Sequence, residues 1–212
     1  MMKEHKKETL KYYEANAAAF VEGTVNSDMS HIYERFEAML PEGAKVLDLG
    51  CGSGRDAKHF IEKGYKVEAV DGSQKLCDFA SEYIGQEVKC MLFEDINYDD
   101  EFDGIWACAS LLHVNKEELP GIIQKVYDAI KLGGILFTCF KYGNHEYTKD
   151  GRFFNNYDEE SVCEIIGPET GFEVIDIFIS GDVREDRKDE RWVNIVAQKI
   201  IRYERVHIKD GI

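Results

Sequence analysis

Lys45-Val46-Leu47-Asp48-Leu49-Gly50-Cys51-Gly52-Ser53-Gly54 is an apolar run that passes into three glycines at every second position. The run predicts a buried strand over 45–49, and the residues that follow predict a helix over 55–63. The glycines therefore fall between the carboxyl end of a strand and the amino end of a helix. Glycine there lets the backbone approach a ligand, and the helix start behind it presents unpaired N–H groups. Such a loop at the carboxyl edge of a parallel sheet marks a small-molecule crevice; the alternative is a tight turn that holds no ligand. A dinucleotide fingerprint would need glycine at 50, 52 and 55, but position 55 is Arg, and no GxxxxGK[ST] loop occurs. Asp48, two residues before the first glycine, disfavours phosphates along the loop and favours a cationic ligand portion such as an ammonium.

Outward from this loop, short apolar runs alternate with amphipathic stretches. Strands are predicted at 65–70, 87–93, 102–108 and 135–141, with helices at 74–83 and 116–131. That alternation means βαβ units, a parallel sheet and an α/β fold with covered faces. Ahead of it, Leu10, Tyr13, Ala17 and Phe20 recur at helical spacing, and Ile32, Phe36, Met39 and Leu40 share a face of a second helix stopped by Pro41. Beyond Lys141, residues 142–157 are rich in Gly, Asn and aromatics and read as a long functional loop. A helix at 158–166 and strands at 172–179 and 192–201 close the chain as an antiparallel hairpin. The organisation expected is one domain over 1–212: a helical cap at 1–40, a cofactor-binding core at 44–141, and a substrate-side loop and hairpin at 142–212.

Asp71 ends the second strand, 21 residues after Gly50. An acidic residue there can accept both hydroxyl hydrogens of a ribose; the alternative is a cap for the next helix, for which Ser73 is better placed. After the third strand, Phe93-Glu94-Asp95-Ile96 offers a carboxylate for an adenine amino group and an apolar side chain for its ring. Taken in order, Asp48-x-Gly50-x-Gly52-x-Gly54, Asp71 and Phe93-Glu94-Asp95-Ile96 resemble the successive motifs of class I S-adenosylmethionine-dependent methyltransferases, over about 46–141. The stretches LDLGCGSGRDA and GYKVEAVDGS also resemble a small bacterial group named for tellurite resistance, a name that describes a phenotype and not a substrate.

The resemblance implies a Rossmann-like, seven-stranded, mostly parallel sheet in the order 3-2-1-4-5-7-6 with helices on both faces and strand seven antiparallel. It assigns the loop from Gly50 to Gly54 to the methionine portion of S-adenosylmethionine, Asp71 to the ribose, and Asp95 with Ile96 to the adenine. Contacts are expected as well from Asp48, Cys51, Gly72, Phe93, Ala109 and, on the first helix, Tyr13. It also implies methyl transfer by in-line displacement, for which the protein mainly positions the nucleophile and excludes water. His113 is the candidate base, because its ordinary pKa lies near neutrality; the alternative is a histidine that merely bonds a loop carbonyl.

For the methyl acceptor, Lys141 and Tyr142 leave the fifth strand at the carboxyl edge, and Arg152 sits in the loop that follows. Arg184, Arg187 and Arg191 are spaced i, i+3 and i+7, so a helical turn would bring them to one face. Converging with Arg152 and Lys141, they would hold a carboxylate, phosphate or phosphonate; the alternative is a solvated charged loop. The stretches FKYG, GRFFN and DVRxxRxxxRWVN resemble a subgroup of small bacterial methyltransferases. The acceptor expected is a small molecule, anionic rather than cationic. A protein or RNA acceptor, or a binder that transfers nothing, are the alternatives.

Composition sets the outer bounds. With 26 Lys+Arg against 41 Asp+Glu the net charge is −15 over 212 residues, which argues against a nucleic-acid partner. No run of apolar residues is long enough to span a membrane. The charged amino terminus is unlike a signal peptide, so a cytoplasmic protein is expected. Six cysteines at 51, 77, 90, 108, 139 and 163 lack metal-ligand spacing and read as free thiols, and no metal is expected. The sequence does not define an oligomeric state.

Overall fold

The apolar run that opens the motif is the middle of the molecule. In the computed structural model, which describes residues 2–184 and 187–202, β1 (Lys45–Leu49) buries Val46, Leu47 and Leu49 almost completely. It pairs in parallel with β2 (Lys66–Asp71) on one side and β4 (Phe102–Ala107) on the other. Parallel neighbours need crossovers, and helices supply them. They are α3 (Arg55–Glu62), α4 (Gln74–Ile84), which is capped by Ser73, and α5 (Leu119–Ala129), which leads into β5 (Ile130–Lys141). β3 (Lys89–Cys90) forms one edge. At the other, β8 (Phe172–Gly181) and β9 (Arg191–Lys199) form the expected antiparallel pair, with β9 also antiparallel to β5. The seven strands lie in the order β3-β2-β1-β4-β5-β9-β8, which is the sheet that the resemblance implies.

The chain runs outward from β1 to β3 and then returns to β4 on the opposite side of β1. The loops after β1 and β4 therefore diverge at the carboxyl edge and open a crevice between them. Behind it lies an aromatic core. Trp106 stacks on Phe137 at 4.0 Å between ring centroids, with Phe36 and Phe60 edge-on at 5.2 and 5.3 Å. Phe36 belongs to α2 (Ser30–Glu37), whose apolar face is buried on the sheet.

Three elements differ from expectation. The third strand shrinks from 87–93 to two exposed residues, because an edge strand has a ladder on one side only. β5 begins at Ile130, not at 135, since Ile130 pairs with Phe102 ahead of a bulge. The region 142–157 contains a second, two-stranded sheet of β6 (Glu146–Lys149) and β7 (Arg152–Asn155). Asp150 and Gly151, both at positive φ, make the two-residue turn between them. A short helix, α6 (Glu159–Ile165), follows behind an Asp158–Ser161 capping box.

The amino-terminal helix α1 (Glu4–Thr24) buries only Thr9, Ala17 and Val21. It lies across the carboxyl edge against α4 and β7, where the Phe153 N–H donates to Thr9 Oγ1 at 3.0 Å.

Candidate active site at the carboxyl edge

The glycine loop is pulled onto the sheet by its own backbone. The N–H groups of Gly50 and Cys51 both donate to the Val70 carbonyl, at 2.9 and 3.0 Å. Gly50 stands at φ +83°, and a Cβ there would lie 2.4 Å from Ser110 Cβ, so the β1 and β4 loops touch only because the position is glycine. Asp71 ties the loop down. Its Oδ2 accepts the Gly52 N–H and its Oδ1 the Ser73 N–H, each at 2.9 Å. Burial raises its pKa above the ordinary carboxylate value, against those N–H donors. A carboxylate has about four lone-pair sites, so acceptor capacity remains for a ligand's hydroxyl groups.

Two cavities open on either side of this loop. The first, about 710 Å³ including its mouth, runs between α1, the loop, Asp71, Gly72 and the segment Met91–Glu94. The second, about 990 Å³ including its mouth, lies between α1, the start of α3 and the ends of β5, β7, β8 and β9. Both are of the size of small-molecule sites. Tyr13, Phe20, Gly50, Gly52, Ala109 and His113 line both and form the boundary between them.

At that boundary the His113 ring is fully engaged. Nδ1 lies 2.6 Å from the Phe153 carbonyl, which can only accept, so Nδ1 carries the proton. Nε2 then accepts the Tyr13 hydroxyl at 2.8 Å. Burial, helped by the cations Arg152 and Lys141, pushes the His113 pKa down to about 4 against the pull of the Phe153 carbonyl. Burial likewise holds Tyr13 up at about 12. The expected base is a neutral imidazole at physiological pH whose lone pair is already used, a poor proton acceptor.

Beneath the loop, Asp56 is a buried hub. Arg55 holds it through Nε at 2.6 Å and a terminal nitrogen at 3.0 Å, Trp106 Nε1 donates at 2.8 Å, and the Tyr33 hydroxyl donates to it as well. Burial raises its pKa, but the Arg55 charge and these donors outweigh that and keep it below the ordinary value.

Most of the expected ligand residues meet here. Tyr13, Gly50, Gly52, Asp71, Gly72, Phe93, Ala109 and His113 line the first cavity, and Cys51, Lys141, Arg152 and Arg184 the second. Six are placed elsewhere. Asp48 is 1% exposed behind the loop and lines neither cavity; its Oδ2 has no partner. Gly54 packs against Ala80 and Ile84. Asp95 points to solvent and Ile96 into the core, because the chain makes a single 3-10 turn at Phe93–Asp95 that turns Phe93 and Glu94 towards the cavity instead. Tyr142 is exposed, with its hydroxyl on Glu159. Arg191 is exposed on β9, its guanidinium 4.6 Å from the Tyr142 ring. The arginine face therefore does not form as read: Arg184 and Arg187 line the second cavity while Arg191 starts a strand, and residues 185–186 between them lie outside the described residues. The terminal part of the expected domain, 203–212, lies outside them too.

Sequence reading missed Arg55 and Asp56, whose only signal was that they follow the glycine loop. Phe154, Asp182 and Trp192 of the second cavity fell within the substrate-side stretches it quoted but received no role, because their positions depend on strand order.

Asp48 gives a direct test of this geometry. Burial, with Asp56 close by, raises its pKa well above the carboxylate range. A carboxyl raised on folding stabilises fully below its unfolded pKa of about 4, and that contribution fades as pH rises towards the folded value. Asp48→Asn removes this fading. The variant is expected to gain thermal stability over the wild type at pH 8 and less at pH 5, read from melting curves without ligand. An equal shift at both pH values would show Asp48 to be ionised.

Crevice, glycine loop and terminal acid define an adenosyl-type site on a doubly wound sheet, and comparison with known proteins says of which kind. Residues 46–134 match the family model of a methyltransferase domain, and the chain's resemblance to S-adenosylmethionine-dependent methyltransferases holds in sequence and in fold. An uncharacterized methyltransferase of Staphylococcus carnosus is 28% identical over 148 residues, 66% of this chain and 70% of that one. The "Probable S-adenosyl-L-methionine-dependent methyltransferase TehB" of Haemophilus influenzae is 30% identical over 102 residues, 46% of this chain and 36% of that one. In most such relatives the match spans less than half of the relative's own length. Among solved structures, the Burkholderia thailandensis 1,6-didemethyltoxoflavin-N1-methyltransferase, with bound 1,6-didemethyltoxoflavin and S-adenosylhomocysteine, superposes with a TM-score of 0.76 at 18% identity. That match covers 92% of this chain and 87% of the other.

S-adenosylmethionine is the cofactor these similarities support, and the residues present fit it. Asp71 would offer lone pairs to the ribose hydroxyls, the loop Gly50–Gly52 would hold the methionine portion, and Met91, Leu92 and Phe93 would give the adenine an apolar wall. No group of three or more His, Cys, Asp or Glu among the described residues could hold a metal ion, and no helix among them is long and apolar enough to cross a membrane.

Proposed function

We propose that this chain is a methyltransferase that moves the methyl group of S-adenosylmethionine to a small, anionic molecule seated in the second cavity. The observation that carries this reading is the shared wall: a ligand in either cavity meets the same six residues, so cofactor and acceptor would face each other across Tyr13, Ala109 and His113. Bound there, the cofactor supplies a methyl group already activated on a sulfonium. The protein's share is then positioning and water exclusion. The Tyr13–His113–Phe153 chain fixes the boundary, and α1 closes over it. Lys141, Arg152, Arg184 and Arg187 give the second cavity its positive side, and Phe20, Met29, Ile32 and Phe154 its apolar one. That combination suits a compact organic anion better than a protein chain or RNA.

The test uses methyl-labelled S-adenosylmethionine and cell extract, with small molecules separated from macromolecules and label counted in each. Label is expected in the small-molecule fraction. Label on protein or RNA would overturn the acceptor class, and none in either, with the cofactor bound, would overturn the activity.

A further inference from the structure

The cations of the second cavity are not equivalent. Lys141 Nζ lies 2.6 Å from Glu190. Arg184 grips Asp182 through two nitrogens, at 2.8 and 2.6 Å, and Arg55 grips Asp56 in the same way. Arg152 differs. Its side chain is nine-tenths buried, its nearest carboxylate is the largely exposed Asp150 at 4.0 Å, and its Nε is buried with no partner. An orphaned guanidinium donor in a buried position is costly unless a ligand accepts from it. The guanidinium stacks 4.3 Å from the Tyr12 ring, and its charge reaches the Tyr13 hydroxyl at the boundary between the cavities.

The proton acceptors of that cavity are equally distinctive. Asp56 serves Arg55, Trp106 and Tyr33. Asp182 serves Arg184 and Trp192 Nε1. Both nitrogens of His113 are taken. Among the described residues that line the cavity, each carboxylate or imidazole is therefore already hydrogen-bonded within the protein.

Resting on the reading of the second cavity as the acceptor site, we propose that the methylated atom is itself the anion, a phenolate, enolate or thiolate, held ionised by Arg152 and not deprotonated by a protein base. A cation within about 4–6 Å of an acid lowers its pKa by about 1–3 units, which ionises a weakly acidic acceptor at neutral pH. In the transfer, the acceptor's lone pair forms the new bond to the methyl carbon while the carbon–sulfur bond breaks and its electron pair stays on sulfur. The product leaves neutral, and no proton passes to the protein. Loss of the charge also removes the product's attraction to Arg152.

The probe is 4-nitrophenol, whose phenolate and phenol differ in visible absorbance, titrated against pH on the protein saturated with S-adenosylhomocysteine. The bound probe is expected to ionise about one pH unit lower than the free one, an approximately tenfold preference for the phenolate. Arg152→Lys should keep most of this shift. Arg152→Gln should abolish it while still binding S-adenosylhomocysteine in calorimetry, since Arg152 does not line the first cavity. Absence of saturable binding, an unshifted ionisation in the wild type, or an undiminished shift in Arg152→Gln would each overturn the proposal. Failure of the wild type to bind S-adenosylhomocysteine would instead overturn the methyltransferase reading on which it rests.

Discussion

Replacement of Asp56 by alanine is expected to destabilise the fold by about 3–5 kcal/mol, the range for removing one partner of a buried ion pair. The carboxylate is 6% exposed and answers Arg55, Trp106 and Tyr33 together. Without it, a guanidinium, an indole N–H and a phenol lose their acceptor in the interior, and alanine offers nothing in return. For a chain of this size the loss corresponds to a fall in melting temperature of roughly 10 °C. Asp56→Asn keeps the shape and one acceptor and should lose less. The pH dependence has a definite sign. Asp56 is held below its ordinary pKa, so its contribution is present above the unfolded carboxylate value and is lost as pH falls through the folded one. Urea or thermal unfolding of both variants at pH 7 reads the effect. A loss under about 1 kcal/mol for alanine would mean that water reaches the cluster.

The second large effect concerns the cofactor. Asp71→Ala removes the acceptor of the Gly52 and Ser73 N–H groups and the lone pairs left for ribose hydroxyls. Hydrogen bonds to a charged group contribute about 1.5–3 kcal/mol each, so loss of the ribose pair should weaken S-adenosylhomocysteine binding by roughly 100-fold to 10,000-fold. Calorimetry measures this directly. Asp71→Asn, which retains one oxygen, should fall between alanine and wild type. Unchanged affinity in the alanine variant, with an unchanged melting temperature, would remove Asp71 from the binding role.

The alternation of strands and helices was legible because its evidence is local: an apolar run, glycines and a helix start within twenty residues specify a βα unit; the order of the strands came from the family resemblance. That Gly50, Gly52 and Asp71 line one cavity was legible for the same reason, since they sit at the ends of adjacent strands. The turn at Asp150-Gly151 was also written locally, as an Asp-Gly pair between short runs, but the surrounding Asn and Gly residues masked it as loop. The acceptor side is different in kind. Trp192 and Asp182 reach the cavity because β9 inserts between β5 and β8, and its partners on β5 lie more than fifty positions away. Spacing on a helix misplaced Arg191 because that segment runs into a strand. Asp48 was misread through its charge; burial, not sequence neighbours, decides whether that charge exists.

Helix α1 has a thermodynamic consequence. Tyr13 and Phe20 border both cavities, and Thr9 and Tyr13 fasten the helix to the β6–β7 hairpin and to His113. If cofactor and acceptor bind as proposed, whichever arrives first would bear the entropy of ordering this one wall, and the second would find it already ordered. The two binding equilibria are then expected to be linked with positive cooperativity. By reciprocity, the factor by which cofactor tightens acceptor equals the factor by which acceptor tightens cofactor.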